Sequence, residues 1–241
     1  MLRNHPIKAV LFDLDGTLRH HLPKGSEVFV GYLRSLNIPI SHEDETRAER
    51  WEHFYFAHSL EIQQDREAFK DNSKAFWVNY SKRRLVALGL EREQAARLAP
   101  EVSEYMGANY KPEAYVPKEA PLMLAMLKQA GYTLGVLSNR DEPYHEELKN
   151  LRLDPFFDFS LAAGEVQSFK PEPRIFQRGL ELAGSAAHET IYVGDNYFAD
   201  IVGSHRAGLA PVLFDPNRLF PDAGCDVIRS FDELPDLLMQ G

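Results

Sequence analysis

Four aspartates in this chain of 241 residues stand where carboxylates can do chemistry. Asp13 and Asp15 lie two residues apart in VLFDLDGTL, and Asp195 and Asp200 five apart in VGDNYFAD. Ser138-Asn139 closes the run YTLGVLSN, and Lys170 stands in SFKPEPRIF. Taken alone, Asp15-Gly16 is a turn signal with Asp13 as an incidental acid. Taken together, the acids would repel, since a pair of like charges ~4 Å apart costs about 4 kcal/mol at an effective dielectric near 20. Something positive must sit among them. Hard oxygen ligands in modest number suit Mg²⁺, which keeps several waters and takes one or two carboxylates plus a substrate phosphate. No His or Cys accompanies the acids, so zinc is poorly matched. Lys170 supplies a second, fixed positive charge.

The elements that must position these groups are apolar runs at 8–14, 132–139, 157–165, 190–196 and 210–215. Most are near-continuous, as in strands covered on both faces. Helix-like stretches lie at 118–131, 143–151, 171–184 and 196–208, the last two closing on Gly. The alternation predicts an α/β fold with a doubly wound parallel sheet. Ligands in such sheets bind beyond the carboxyl ends of the strands, which is where the polar groups fall.

From about 20 to 115 the alternation stops. The stretches WEHFYFAHSLEIQQ, SKAFWVNYSKRRLVALGL and REQAARLAPEVSEYM read as amphipathic helices without strands. The expected organisation is therefore an α/β core of residues 1–19 and 116–241 and an inserted, mainly helical domain of residues 20–115, with Pro112 and Pro117 in the return linker.

A net charge of −9 opposes the broad basic surface that nucleic acid requires. The single cysteine, Cys225, suits a reducing compartment and reads as a half-buried small residue. The N-terminal segment lacks a signal-like apolar stretch, and no run approaches the ~18 apolar residues of a membrane span. These features predict a cytoplasmic protein that acts on a small molecule, with no nucleic-acid or membrane partner and an oligomeric state that the sequence leaves open.

With its motifs placed, the chain resembles the haloacid dehalogenase (HAD) superfamily, phosphatase branch, with a helical cap inserted after the first motif. The D-x-D-x-T motif is matched by Asp13, Asp15 and Thr17, and the strand-ending Ser or Thr by Ser138. Lys170 before a helix matches the third motif, and Gly194, Asp195 and Asp200 match G-D-x-x-x-x-D. The resemblance implies a Rossmann-like core and a Mg²⁺-dependent phosphatase that hydrolyses a small phosphorylated substrate, a phosphomonoester, through an aspartyl-phosphate. It casts Asp13 as nucleophile and Asp15 as acid and base, which extended-chain geometry supports, because alternate residues share a face. Metal would be held by Asp13, Asp195 and the Asp15 main-chain carbonyl, with Asp200 behind them orienting a water or Lys170. Gly16, Thr17, Ser138 and Asn139 are the expected substrate-binding positions, Gly16 by close backbone approach and Thr17 by fixing the turn. Lys170 would offset charge at the reacting group.

A phosphosugar mutase shares all these motifs and stays open as an alternative, as does a noncatalytic module that accepts phosphoryl on Asp13. In the insert, Trp51, Phe54 and His58 are expected on one helical face as part of that domain's own core. Arg19, His20 and His21 read as a polar loop, and Lys82, Arg83 and Arg84 as a solvated helix face.

Overall fold

The protein is described by a computed structural model covering residues 6–239. Among these residues the chain divides into two units, one made of the segment up to His20 with that from Tyr115 onward, the other of His21–Ala114.

The first unit is built on a six-stranded sheet. Its strands are β1 (Ala9–Phe12), β4 (Thr133–Ser138), β5 (Phe159–Ala162), β6 (Thr190–Gly194), β7 (Ala210–Phe214) and β8 (Asp226–Ile228), in the spatial order β5-β4-β1-β6-β7-β8, all pairs parallel. Two short strands, β2 (His20–Leu22) and β3 (Glu113–Tyr115), form a separate ribbon. The interval 20–115 is thus not free of strands, and His20 and His21 belong to β2 instead of a loop. Each of these strands is only three residues long, too short for a period-2 pattern to register.

Side-chain alternation along the strands explains the layers. Val10, Phe12, Val136, Ile191 and Val193 face one side and pack with Met123, Leu124 and Leu127 of α6 (Glu119–Gln129), Leu148 of α7 (His145–Asn150) and Leu234 of α11 (Glu233–Met239). Leu11, Leu137 and Tyr192 face the other and meet Ile175 and Phe176 of α9 (Pro173–Ala183). Both faces are covered, so the strands carry no polar side and read as continuous apolar runs. Helix α9 begins with Pro173, whose missing N–H costs nothing at that position, and ends at Gly184 in the left-handed conformation (φ 62°).

Two elements differ from their sequence reading. The run 157–165 is strand only to Ala162, because the Glu165 carboxylate accepts the Ala162 N–H (2.7 Å) and turns the chain into α8 (Ala163–Val166). The stretch 196–208 begins as a π-turn over Tyr197–Ile201 before α10 (Val202–Arg206), since the Asn196 side chain accepts the N–H groups of Phe198 and Ala199 (3.0 Å each).

The second unit consists of α1 (Gly25–Ser35), α2 (His42–Phe56), α3 (Leu60–Ala68), α4 (Ser73–Ala87) and α5 (Arg92–Asn109). Phe29, Leu33, Ala48, Leu85, Ala95 and Val102 form its main core. The stretch read as one helix from Trp51 is broken: α2 ends at Phe56, His58 adopts φ 52°, and Ser59 caps α3. His58 therefore leaves the helical face, and Phe54 is exposed; buried Tyr55 packs with Ile62 and Tyr80, and half-buried Trp51, one turn before Tyr55, and Phe76 pack against them. Of the basic run, Lys82 is exposed as expected, but Arg83 and Arg84 are not simply solvated. Arg84 is buried, pairs with Glu52 (3.2 Å) and lies over the Phe29 ring, while Arg83 pairs with Asp65 (2.7 Å). Among the described residues no helix is long and apolar enough to cross a membrane.

Candidate active site

Parallel register brings β1, β4 and β6 side by side, so the residues that follow them meet at one edge. Asp13 follows β1, and its N–H donates to Val193 O (2.9 Å), tying it to β6. Asp13 is 5% exposed. Lys170 Nζ, equally buried, donates to Asp13 Oδ1 (2.6 Å), Asp200 Oδ1 (2.6 Å) and the Tyr192 hydroxyl (3.0 Å). These three contacts use all three donors of the ammonium group.

Asp195, at the end of β6, is held by Thr17. The Thr17 hydroxyl donates to Asp195 Oδ1 (3.0 Å) and accepts the Asp195 N–H (3.0 Å). Thr17 is fully buried, so it serves to place Asp195 and does not reach toward a ligand. Gly16 has φ 94°, and a Cβ there would lie 2.5 Å from Asp195 Oδ2, which requires glycine on both counts. Ser138 is buried at the end of β4. The side chain of Asn139 clamps the backbone of Lys170, accepting its N–H (2.6 Å) and donating to its carbonyl (2.9 Å). That amide is spent on positioning, which leaves main-chain groups as what Asn139 can offer a ligand.

Among the described residues Asp13, Asp195 and Asp200 each bring a carboxylate oxygen within 4.8 Å of the others. Burial raises the Asp13 carboxyl to about 7 against the pull of Lys170, with Asp200 and Asp15 adding to the rise. Burial, then the charges of Asp13 and Asp200, push Asp195 well above the usual range. For Lys170, burial works against the charge, but Asp13 and Asp200 outweigh it and hold the ammonium well above its ordinary value. Asp13 Oδ2 is buried with no hydrogen-bond partner. Asp200, by contrast, spends Oδ1 on Lys170 and Oδ2 on the Asn196 N–H (3.0 Å). An unpartnered buried carboxylate oxygen beside a second carboxylate fits a divalent cation bound through Asp13 and Asp195. The cluster can hold a metal ion.

The Asp15 carboxylate stands apart from that cluster. Its side chain is 41% exposed and is held by Arg19 (Nη1 to Oδ1, 2.5 Å) and Arg140 (Nη2 to Oδ2, 2.9 Å). Glu147 of α7 pairs with both guanidinium groups, at 2.9 Å from Arg19 Nε. Arg19 is thus an ion-paired, half-buried residue and no part of a free loop. Sequence reasoning passed over Arg140, Glu147 and Tyr192. Arg140 carried one signal, its place directly after the strand-ending Ser138-Asn139. Tyr192 carried a phenol inside an otherwise apolar strand. Glu147 carried none.

The parallel α/β sheet gathers Asp13, Asp195 and the buried Lys170 at its carboxyl edge, where sheets of this kind bind ligands. Residues 7–208 match the haloacid dehalogenase-like hydrolase family, and the chain belongs to it. It is 29% identical over 215 residues to a ribulose-1,5-bisphosphate 5-phosphatase from Halopiger xanaduensis, a match spanning 87% of this chain and 85% of that protein. A pyrophosphatase, PpaX of Bacillus mycoides, is 39% identical over 87 residues, and there the chain spans only 40% of the relative's length. Among solved structures, a HAD phosphatase from Thermococcus onnurineus superposes with a TM-score of 0.56 at 26% identity, covering 96% of this chain and 98% of that one.

Proposed function

We propose that this protein is a Mg²⁺-dependent phosphatase that hydrolyses a small phosphomonoester in two steps through an aspartyl-phosphate on Asp13. The observation that carries the reading is the state of Asp13 at the end of the central strand β1. One of its oxygens is gripped by a buried lysine, and the other is buried and unpartnered within reach of a second carboxylate.

In the first step an Asp13 oxygen attacks phosphorus, the bond to the ester oxygen breaks, and Asp15 delivers a proton to the departing alcohol. In the second, Asp15 takes a proton from water, which attacks the same phosphorus and frees Asp13 with release of inorganic phosphate. Lys170 stays charged throughout and offsets negative charge on Asp13 and the transferring group, while Ser138 and nearby main-chain N–H groups receive phosphate oxygens. A Mg²⁺ held by Asp13, Asp195 and the Asp15 carbonyl would neutralise the remaining charge. Thr17 and Asp200 keep Asp195 and Lys170 in place.

To the helical unit, inserted in the chain between β1 and β4, we assign the selection of leaving group and the exclusion of water. The ribulose-1,5-bisphosphate 5-phosphatase match extends over most of this chain, and a glyceraldehyde 3-phosphate phosphatase from Methanothermobacter thermautotrophicus is 29% identical over 158 residues. Both names support a small phosphorylated sugar or triose as the substrate class.

The test is release of inorganic phosphate from ribulose 1,5-bisphosphate, glyceraldehyde 3-phosphate, pyrophosphate and p-nitrophenyl phosphate, with Mg²⁺ and with EDTA. Multiple turnovers that EDTA abolishes and Asp13→Asn eliminates are expected. Retained turnover in Asp13→Asn refutes the nucleophile. A mutase would isomerise its sugar phosphate with little net phosphate release, and a phospho-accepting module would release none.

A further inference from the structure

The exposed carboxylate of Asp15 is fixed by a chain of contacts that starts in the core of the sheet. Tyr144 is buried and its hydroxyl donates to Val136 O on β4 (2.9 Å), with Leu161 O on β5 at 3.2 Å. The Arg140 guanidinium lies over the Tyr144 ring, 5.2 Å from its centroid. From that platform its edge forks: Nε and Nη2 reach Asp15 Oδ2 and Oδ1 at 3.0 and 3.1 Å, and Nη1 and Nη2 reach the two oxygens of Glu147. Arg140 is 125 residues from Asp15, so nothing local in the chain requires this contact.

An aspartate with 41% of its side chain exposed would otherwise move among several rotamers. A planar guanidinium that grips both carboxylate oxygens removes that freedom, which a lysine's single ammonium cannot do. The geometry points to Arg140, braced by Glu147 and seated on Tyr144, as a positioning residue for the Asp15 carboxylate in proton transfer. This inference rests on the phosphatase reading, in which Asp15 is the acid. Arg140 is assigned no contact with substrate and acts only through the angle and place of the Asp15 carboxylate it grips.

The test compares phenyl phosphate with p-nitrophenyl phosphate, two esters of similar shape that differ in how much their leaving oxygen needs a proton. The quantity is kcat/KM, which reports the steps through transfer to Asp13. Since a positioned acid contributes about 10²- to 10⁴-fold, Arg140→Gln is expected to lower kcat/KM for phenyl phosphate by roughly 10- to 100-fold and for p-nitrophenyl phosphate by less than about threefold. Arg140→Lys should recover only part of the loss, and Glu147→Gln should shift the same ratio in the same direction by less. Retained p-nitrophenyl phosphate turnover in the variants shows that they fold. Equal losses on both esters, no loss on either, or full recovery with lysine overturns the positioning role while leaving the phosphatase reading intact. Absence of turnover by the unsubstituted protein on both aryl esters and on the sugar phosphates and pyrophosphate named above overturns both.

Discussion

Protons and a divalent cation should compete for Asp13. A carboxyl whose pKa is higher in the fold than in the unfolded chain binds its proton more tightly when folded, so without metal the fold loses stability as pH rises from the ordinary value of 3.8 toward about 7. A cation that requires the ionised carboxylate restores stability at the upper end of that window. With a pKa of about 7, roughly 0.9 of Asp13 is ionised at pH 8 and about 0.01 at pH 5, so affinity should fall about 90-fold between them, or about 3 kcal/mol. Asp195 is raised as well, which steepens the fall. Titration of Mg²⁺ or Mn²⁺ into EDTA-stripped protein at the two pH values, followed by calorimetry and by the rise in Tm, measures it. A carboxyl at its ordinary pKa would leave the affinity nearly unchanged over this range. An affinity that moves by less than about threefold refutes the argument that burial governs Asp13.

Three further outcomes follow from the same contacts. Lys170→Met leaves Asp13 and Asp200 buried without their counter-charge, and chemical denaturation without metal should show a loss of about 3–5 kcal/mol. Thr17→Val removes both hydrogen bonds that orient Asp195, so cation affinity should fall roughly 10-fold or more by calorimetry. Gly16→Ala places a methyl against Asp195 at a positive φ; cation binding should weaken and stability fall by about 1–3 kcal/mol, and a variant that binds cation as tightly as the parent would contradict the close approach.

The amino-acid sequence by itself determined the sheet and the place of its chemistry. Runs such as VLFDLD and TIYVGD are apolar on both faces because helices cover both, and they end in acids at the carboxyl edge, where sheets of this kind bind ligands. Parallel pairing then puts Asp13, Ser138 and Asp195 on one edge, and this much follows from period and order alone. Strand β8 was not legible, because three residues hold too little pattern.

Only the tertiary structure decided which partners the site residues take. Asn139 turns to the backbone of Lys170, Thr17 to Asp195, Lys170 to Tyr192, and Asp15 to Arg140. These contacts join residues 22 to 178 positions apart, and each depends on a rotamer and a register that periodicity does not encode. The same holds in the helical unit, where Arg84 is charged in sequence but buried in fact, because Glu52 and the Phe29 ring meet it there. Hydrophobic pattern is local and survives being read along a line; the pairing of polar groups is made in space, after the chain has closed on itself.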